Sequence, residues 1–179
     1  MARVSSIDER SRPELAGLID KIRGARGGRL INIYRLMLHS PALAEAWFEL
    51  NQAVRWRTEI DGRCRELAVI RIALLNKVDY VVRAHAPAYA LREGLTPRQV
   101  EGLADWERSP SLYSERERAL LAYVDAMTTT VEVPDEVFAR LRAHFTERQI
   151  VELTMLVGAY NMLTRFLKAL EVDPEPGRE

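Results

Sequence analysis

Along most of the chain, apolar residues return at helical spacing. Leu67, Ile70 and Leu74 form one such stripe and Ile150, Leu153, Leu156 and Val157 another, while sustained period-two alternation between hairpin turns is absent. Three starts carry the capping-box pattern, in which a hydroxyl and a carboxamide or carboxylate three residues later satisfy orphan amides: Thr96 with Gln99, Ser114 with Glu117, and Thr146 with Gln149. Stops fall at Gly24, Gly27 and Gly28, at Gly62, at Gly94, and at Pro110 and Pro134. The pattern predicts eight or nine helices, at 12–24, 30–39, 42–60, 63–76, 79–93, 97–107, 115–129, 135–144 and 147–171, packed as one all-α domain. From Asp173 onward, Pro174, Pro176 and Gly177 predict a loose tail.

Composition narrows the function classes. Lys plus Arg equals Asp plus Glu at 26 each, so no net field draws the chain to nucleic acid or an anionic membrane. Charges such as Arg71, Arg83 and Glu152 interrupt the apolar runs short of the ~18–20 residues that span a bilayer, which predicts a soluble protein. One cysteine, Cys64, excludes an intrachain disulfide, and the chain opens without a basic-then-apolar leader, so a cytoplasmic location is expected. His39, His85 and His144 are scattered without metal-ligand spacing, and Gly24, Gly27 and Gly28 lack the strand that a phosphate-binding loop follows; neither metal nor cofactor is expected. Trp47, Trp56 and Trp106 are spaced for packing or subunit contact.

The chemistry-bearing residues concentrate in RCRELAVIRIALLNKVDYVVRAHAPAYALREGL, residues 63–95, where polar groups interrupt two apolar helices. Glu66 falls in the first turn of its predicted helix, where the dipole stabilises a carboxylate; an exposed N-terminal glutamate fits equally. His85 shares a helix face with Val78, Val81 and Val82, so it needs a partner, structural or catalytic. Arg71 offers a bidentate fork for a substrate carboxylate, or a salt bridge to Glu66 or a neighbouring subunit. Asn161 and Arg165, four apart in an apolar stripe, read as structural or interface residues.

Arg65-Glu66-Leu67, Arg71, Asn76, Tyr80 and His85 together resemble the core signature of the carboxymuconolactone decarboxylase and alkylhydroperoxidase D-like superfamily. NIYRLMLHSPALAEAW (32–47) is similar to its lead-in helices and YNMLTRFLKALEV (160–172) to its closing helix, so the likeness covers roughly 30–172. It implies a helical domain over 30–172, preceded by an N-terminal helix and glycine-rich linker (1–29) and followed by a flexible tail (173–179). The peroxidase branch carries a Cys-x-x-Cys pair before the histidine; the matching positions here are Val78 and Val81, which can neither form a thiolate nor close a disulfide. Cys64 has no resolving partner and reads as an inert, semi-buried thiol.

What the resemblance leaves is acid–base chemistry: Glu66 and His85 at the relay positions, Tyr80 to donate a hydrogen bond to a substrate oxygen, and Arg71 and Asn76 to bind substrate. A cofactor-free decarboxylase or isomerase of a small carboxylated or lactone-like compound is expected first. A non-catalytic helical oligomer comes next, with His85 as a core residue, and a thiol peroxidase last. Under each, the resemblance implies a homo-oligomer, whether dimer, trimer or hexamer.

Overall fold

The computed structural model describes residues 2–175, and among them every regular element is helical. Nine α-helices follow in order: α1 Ala16–Gly24, α2 Asn32–Met37, α3 Pro41–Trp56, α4 Gly62–Leu75, α5 Asp79–His85, α6 Pro97–Gly102, α7 Glu115–Thr129, α8 Asp135–Arg142 and α9 Glu147–Leu170. All three capping boxes form, at the starts of α6, α7 and α9.

α4 is the centre of the bundle. It packs against α5, α7 and α9, and Cys64 to Ile70, Ile72 and Ala73 are all buried, so the helix has no solvent face for a polar stripe. Charges on its buried faces are therefore held in the interior, and Arg65 and Glu66 are such charges. α3 packs on α9, and α1 and α2 pack on α3, so the segment before residue 30 shares the core through Ile19 and Ile22.

α9 corrects one expectation. Its 24 residues are long and apolar enough, by length and composition, to cross a membrane. About half of its most apolar stretch is buried inside the bundle, however, against α3, α4, α7 and α8, as the core helix of a globular domain would be.

Several predicted helices end or break where local chemistry demands it. The first opens as two 3-10 turns, Glu9–Ser11 and Pro13–Leu15, before α1. The one expected over 42–60 stops at Trp56, and the one over 97–107 gives way after α6 to a 3-10 segment, Leu103–Arg108, with Asp105 in a non-helical conformation. The helix expected over 79–93 is interrupted immediately after His85 by a π-helical segment, Ala86–Ala90. Pro87 lies within it; a proline has no N–H for the carbonyl four residues back and its ring crowds that turn, and a widened turn relieves both.

The start of the tail is held rather than loose. Asn32 Nδ2 donates to the carbonyls of Asp173 (3.0 Å) and Pro174 (3.3 Å), and the Asn32 amide donates to Glu175 Oε1 (2.7 Å). Pro176 and Gly177, also assigned to the tail, lie outside the described residues.

Candidate functional site

Glu66 and His85 meet across α4 and α5, with 2.6 Å between Glu66 Oε2 and His85 Nδ1. Both are buried, Glu66 completely. Because α4 starts at Gly62, capped by Asp61, Glu66 lies past the first turn, and the helix dipole is not what holds its charge. Arginines do that: Arg65 Nε donates to Glu66 Oε1 at 3.2 Å, and Arg55 Nη2 lies 3.9 Å from the same oxygen.

The two arginines are themselves fixed by stacking and by backbone. Trp56 has the guanidinium of Arg55 at 4.5 Å and that of Arg65 at 4.7 Å from its ring centre, and Tyr89 holds Arg55 at 4.7 Å. Arg65 also donates to the Arg55 carbonyl (3.1 Å) and to Glu93 (3.0 Å). The π-helical segment brings Tyr89 against the His85 imidazole, 5.1 Å between ring centres, and α9 supplies Tyr160 edge-on at 5.8 Å.

The electrostatics divide the pair into an anion and a neutral base. Burial pushes the Glu66 carboxyl up, but its hydrogen bond with His85 and the charges of Arg55 and Arg65 outweigh that and hold it below the usual carboxylate range. Burial pushes His85 down; Glu66 restores part of this, and Arg55 and Arg65 oppose it, so the imidazole stays below its ordinary value. The consistent state at neutral pH is ionised Glu66 accepting the Nδ1–H of a neutral His85. That leaves Nε2 as the nitrogen available to a ligand.

A cavity of ≈500 Å³ opens over His85, and Tyr80, Arg55, Tyr89 and Tyr160 are part of its wall. Tyr80 is buried there, but its hydroxyl donates to Glu175 Oε1 at 2.5 Å instead of standing free for a substrate.

Arg71 and Asn76 lie elsewhere. Arg71 makes a two-pronged ion pair with Asp125 (2.7 and 2.8 Å) and donates to the carbonyls of Leu103 and Ala104. The expected clamp on a substrate, or bridge to Glu66, is replaced by a tie between α4, α7 and the segment after α6. Asn76 donates to Asn161 Oδ1 and Thr164 Oγ1, both at 3.0 Å, and so joins α4 to α9 rather than binding a ligand. Arg71→Met should therefore lower stability by about 1.5–3 kcal/mol, the worth of hydrogen bonds to charged groups, and leave ligand binding in the cavity unchanged. Denaturant unfolding beside a binding isotherm checks both halves.

Asn161 also donates to Thr128 and accepts from Arg165, which gives both the structural role expected of them. Cys64 is fully buried rather than semi-buried, with its thiol pushed up to about 12 by burial first and by Asp61 second. Val78 and Val81 are buried too, so neither dithiol position nor Cys64 presents a reactive sulfur. Among the described residues no three His, Cys, Asp or Glu side chains gather into a metal-binding group.

Stability should register the His85 shift. Because folded His85 binds its proton more weakly than the unfolded chain does, the unfolded state gains protons first as pH falls below ~6.5. Stability is then full above that pH and declines beneath it; Glu66, held low, adds a second loss in the same direction at lower pH. Thermal melts between pH 7.5 and 5 should show this decline, and His85→Gln should flatten its upper part. A melting temperature that rises on acidification would contradict the assignment.

Residues 41–126 match the carboxymuconolactone decarboxylase family. The uncharacterised protein YnjA of Escherichia coli (strain K12) is 32% identical over 146 residues, covering 81% of this chain and 74% of that one. A solved structure from Agrobacterium tumefaciens, ATU0492, described as of unknown function and as a candidate antioxidant defence protein AhpD, is 30% identical, with TM-score 0.73 over 78% of this chain and 95% of that one. An uncharacterised peroxidase-related protein from Ralstonia eutropha JMP134, described as an alkylhydroperoxidase AhpD core, shares the fold at TM-score 0.82 and 19% identity, over 99% and 94% of the two chains. With Glu66 and His85 of the signature in contact at one buried site, the chain belongs to the carboxymuconolactone decarboxylase family and has the AhpD-like helical fold.

Proposed function

We propose that this protein is an acid–base enzyme acting on a small carboxylated or lactone-like compound by decarboxylation or isomerisation, with its own side chains and no cofactor. The observation that carries the reading is the 2.6 Å contact between Glu66 and a neutral His85 at the wall of a ≈500 Å³ cavity. Ionised Glu66 fixes the Nδ1–H tautomer, so Nε2 serves as the base. In an isomerisation, Nε2 takes a proton from a carbon beside a carbonyl and returns it to another position. In a decarboxylation, the carbon–carboxylate bond breaks, its electron pair passes into the adjoining carbonyl or lactone system, and CO₂ leaves. The carbon then takes a proton from water, relayed through the bare Nε2, and the hydroxide left behind combines with the CO₂ as bicarbonate.

Both routes can place a solvent-derived proton on carbon, in an isomerisation because the proton held at Nε2 exchanges with water and in a decarboxylation in place of the carboxylate. Incubating the protein in D₂O with a panel of unsaturated lactone carboxylates and β-keto acids, followed by proton NMR, tests the reading. Deuterium incorporation that disappears in His85→Gln supports it; a panel that exchanges no faster than buffer, or equally well with His85→Gln, rejects it. The peroxidase alternative gains nothing from the site, because valines occupy both dithiol positions and the single thiol is buried.

A homo-oligomer is the expected setting, as is a soluble, cytoplasmic one. Val151, Met155 and Met162 on α9 are 63%, 50% and 52% exposed and lie within about 40° of one another around the helix, an apolar stripe that a second copy would cover. Sedimentation velocity should give more than one protomer per particle, and Met155→Glu should shift the distribution toward the monomer.

A further inference from the structure

Five arginines, Arg26, Arg29, Arg55, Arg83 and Arg92, stand in the wall of the cavity over His85, and among the described residues Glu175 is the one carboxylate there. The cavity is thus cationic in a protein with equal numbers of acidic and basic side chains. Two of its guanidinium groups also hold buried nitrogens without hydrogen-bond partners, Nε of Arg26 and Nε and Nη2 of Arg55. Arg26 lies over the Tyr34 ring at 4.9 Å and donates to Asn51 Oδ1 at 2.9 Å, which fixes its charge in the wall.

Glu175 reaches this wall from a segment that has no regular structure. Its carboxylate is held by the Tyr80 hydroxyl and the Asn32 amide, and no Lys or Arg among the described residues forms an ion pair with it. The chain behind it is held by Asn32, which donates to the carbonyls of Asp173 and Pro174, and by the Ala2 amide, which donates to Asp173 Oδ2 at 3.0 Å. Tyr80 and Pro174 also border a second cavity of ≈370 Å³, so this segment meets open space there as well as in the cavity over His85. Tyr80 is the group that the acid–base reading needs for a substrate oxygen, and Glu175 already engages it.

We propose that Glu175 is a tethered competitor: its carboxylate occupies the position at the Tyr80 hydroxyl where the carboxylate of an incoming planar organic acid binds, and the 173–175 segment lifts when that acid enters. The proposal rests on the cavity being the substrate site, as set out above, and adds the chemistry of what enters and what it displaces. Tyr80 supplies the donor for the acid's oxygen and Arg26 the charge, while the rings of Tyr34, Tyr89 and Tyr160 in the cavity wall suit a flat body. Glu175 and Arg26 both lie outside residues 41–126, so the device belongs to parts of this chain beyond the family match.

The test uses the full-length chain and benzoate, with benzamide as the uncharged counterpart, measured by calorimetry. Glu175→Ala should tighten benzoate binding at least 10-fold, and Glu175→Gln, which keeps an acceptor oxygen without the charge, by less. Tyr80→Phe and Arg26→Gln placed in the Glu175→Ala background should each reverse most of the gain, and benzamide should respond little to any of the changes. Thermal melts show that each variant is folded. Benzoate affinity that is unchanged or weaker in Glu175→Ala overturns the proposal, as does equal tightening of benzamide or no benzoate binding by either protein. Retained solvent exchange with no Glu175 effect would remove only this proposal. A Glu175 effect without any His85-dependent exchange would remove only the acid–base reading.

Discussion

Replacing His85 by Gln should lower turnover of any substrate found in the exchange panel by ~10²–10⁴-fold, the range contributed by a positioned general base. Glutamine retains an N–H that can reach Glu66 but has no basic nitrogen to offer the cavity, so binding and base function separate in this variant. Benzoate affinity should change little while turnover collapses. Parallel losses in stability and binding would instead mark His85 as a core hydrogen-bonding residue, the non-catalytic reading of the same geometry. Glu66→Gln is the companion: it leaves the carbonyl oxygen free to accept from Nδ1 but removes the charge that favours that tautomer, so turnover should fall, together with part of the stability that the anion gives Arg55 and Arg65.

Glu66→Ala has the largest expected effect on stability, a loss of about 3–5 kcal/mol, because removing one member of a buried ion group leaves the others uncompensated. Arg55 and Arg65 are both buried, and each would lose the anion they share. In a chain of this length the loss corresponds to a melting temperature lower by roughly 6–20 °C. Arg65 keeps Glu93 and the Arg55 carbonyl, whereas Arg55 keeps the rings of Trp56 and Tyr89 but no other carboxylate among the described residues. Glu66→Ala combined with Arg55→Met should therefore recover part of the loss, and chemical denaturation of the single and double variants would show it. A destabilisation under 1 kcal/mol in the single variant would mean that water or movement of the arginines replaces the carboxylate, and that the pair is less rigid than its geometry implies.

The helices were legible because their signals are local. Periodicity and the three capping boxes involve residues three or four apart, and α6, α7 and α9 begin where Thr96, Ser114 and Thr146 place them. Glu66 and His85 were legible for a different reason: they stand in a motif whose spacing the resemblance fixes, and the structure brings them into contact. Arg71 illustrates what spacing does not carry. Its partner, Asp125, is 54 residues away on α7, and one helix gives no sign of the acid another will bring.

Arg55 was not singled out, and Arg65 entered only as part of the signature, for the same physical reason. Nothing local in AVRWRTEIDGRCRE marks them as buried, and only the packing around α4 holds Arg65 inward and makes Trp56 and Tyr89 the supports of Arg55. The π-helical turn had one local signal, Pro87 inside an otherwise helical pattern, which the prediction of a continuous helix over 79–93 passed over. Glu175 had none. Proline-rich composition predicted a loose end, yet two hydrogen bonds from Tyr80 and Asn32 place that carboxylate in the cavity wall.

The protonation of His85 tests the central claim most directly. Nitrogen-15 spectra of the imidazole, followed from pH 8 to pH 5, should show Nδ1 carrying the proton, Nε2 bare, and a titration midpoint below the ordinary histidine value of ~6.5. A ring protonated at both nitrogens at pH 7, or one with its proton on Nε2, would leave no base facing the cavity and would contradict the account.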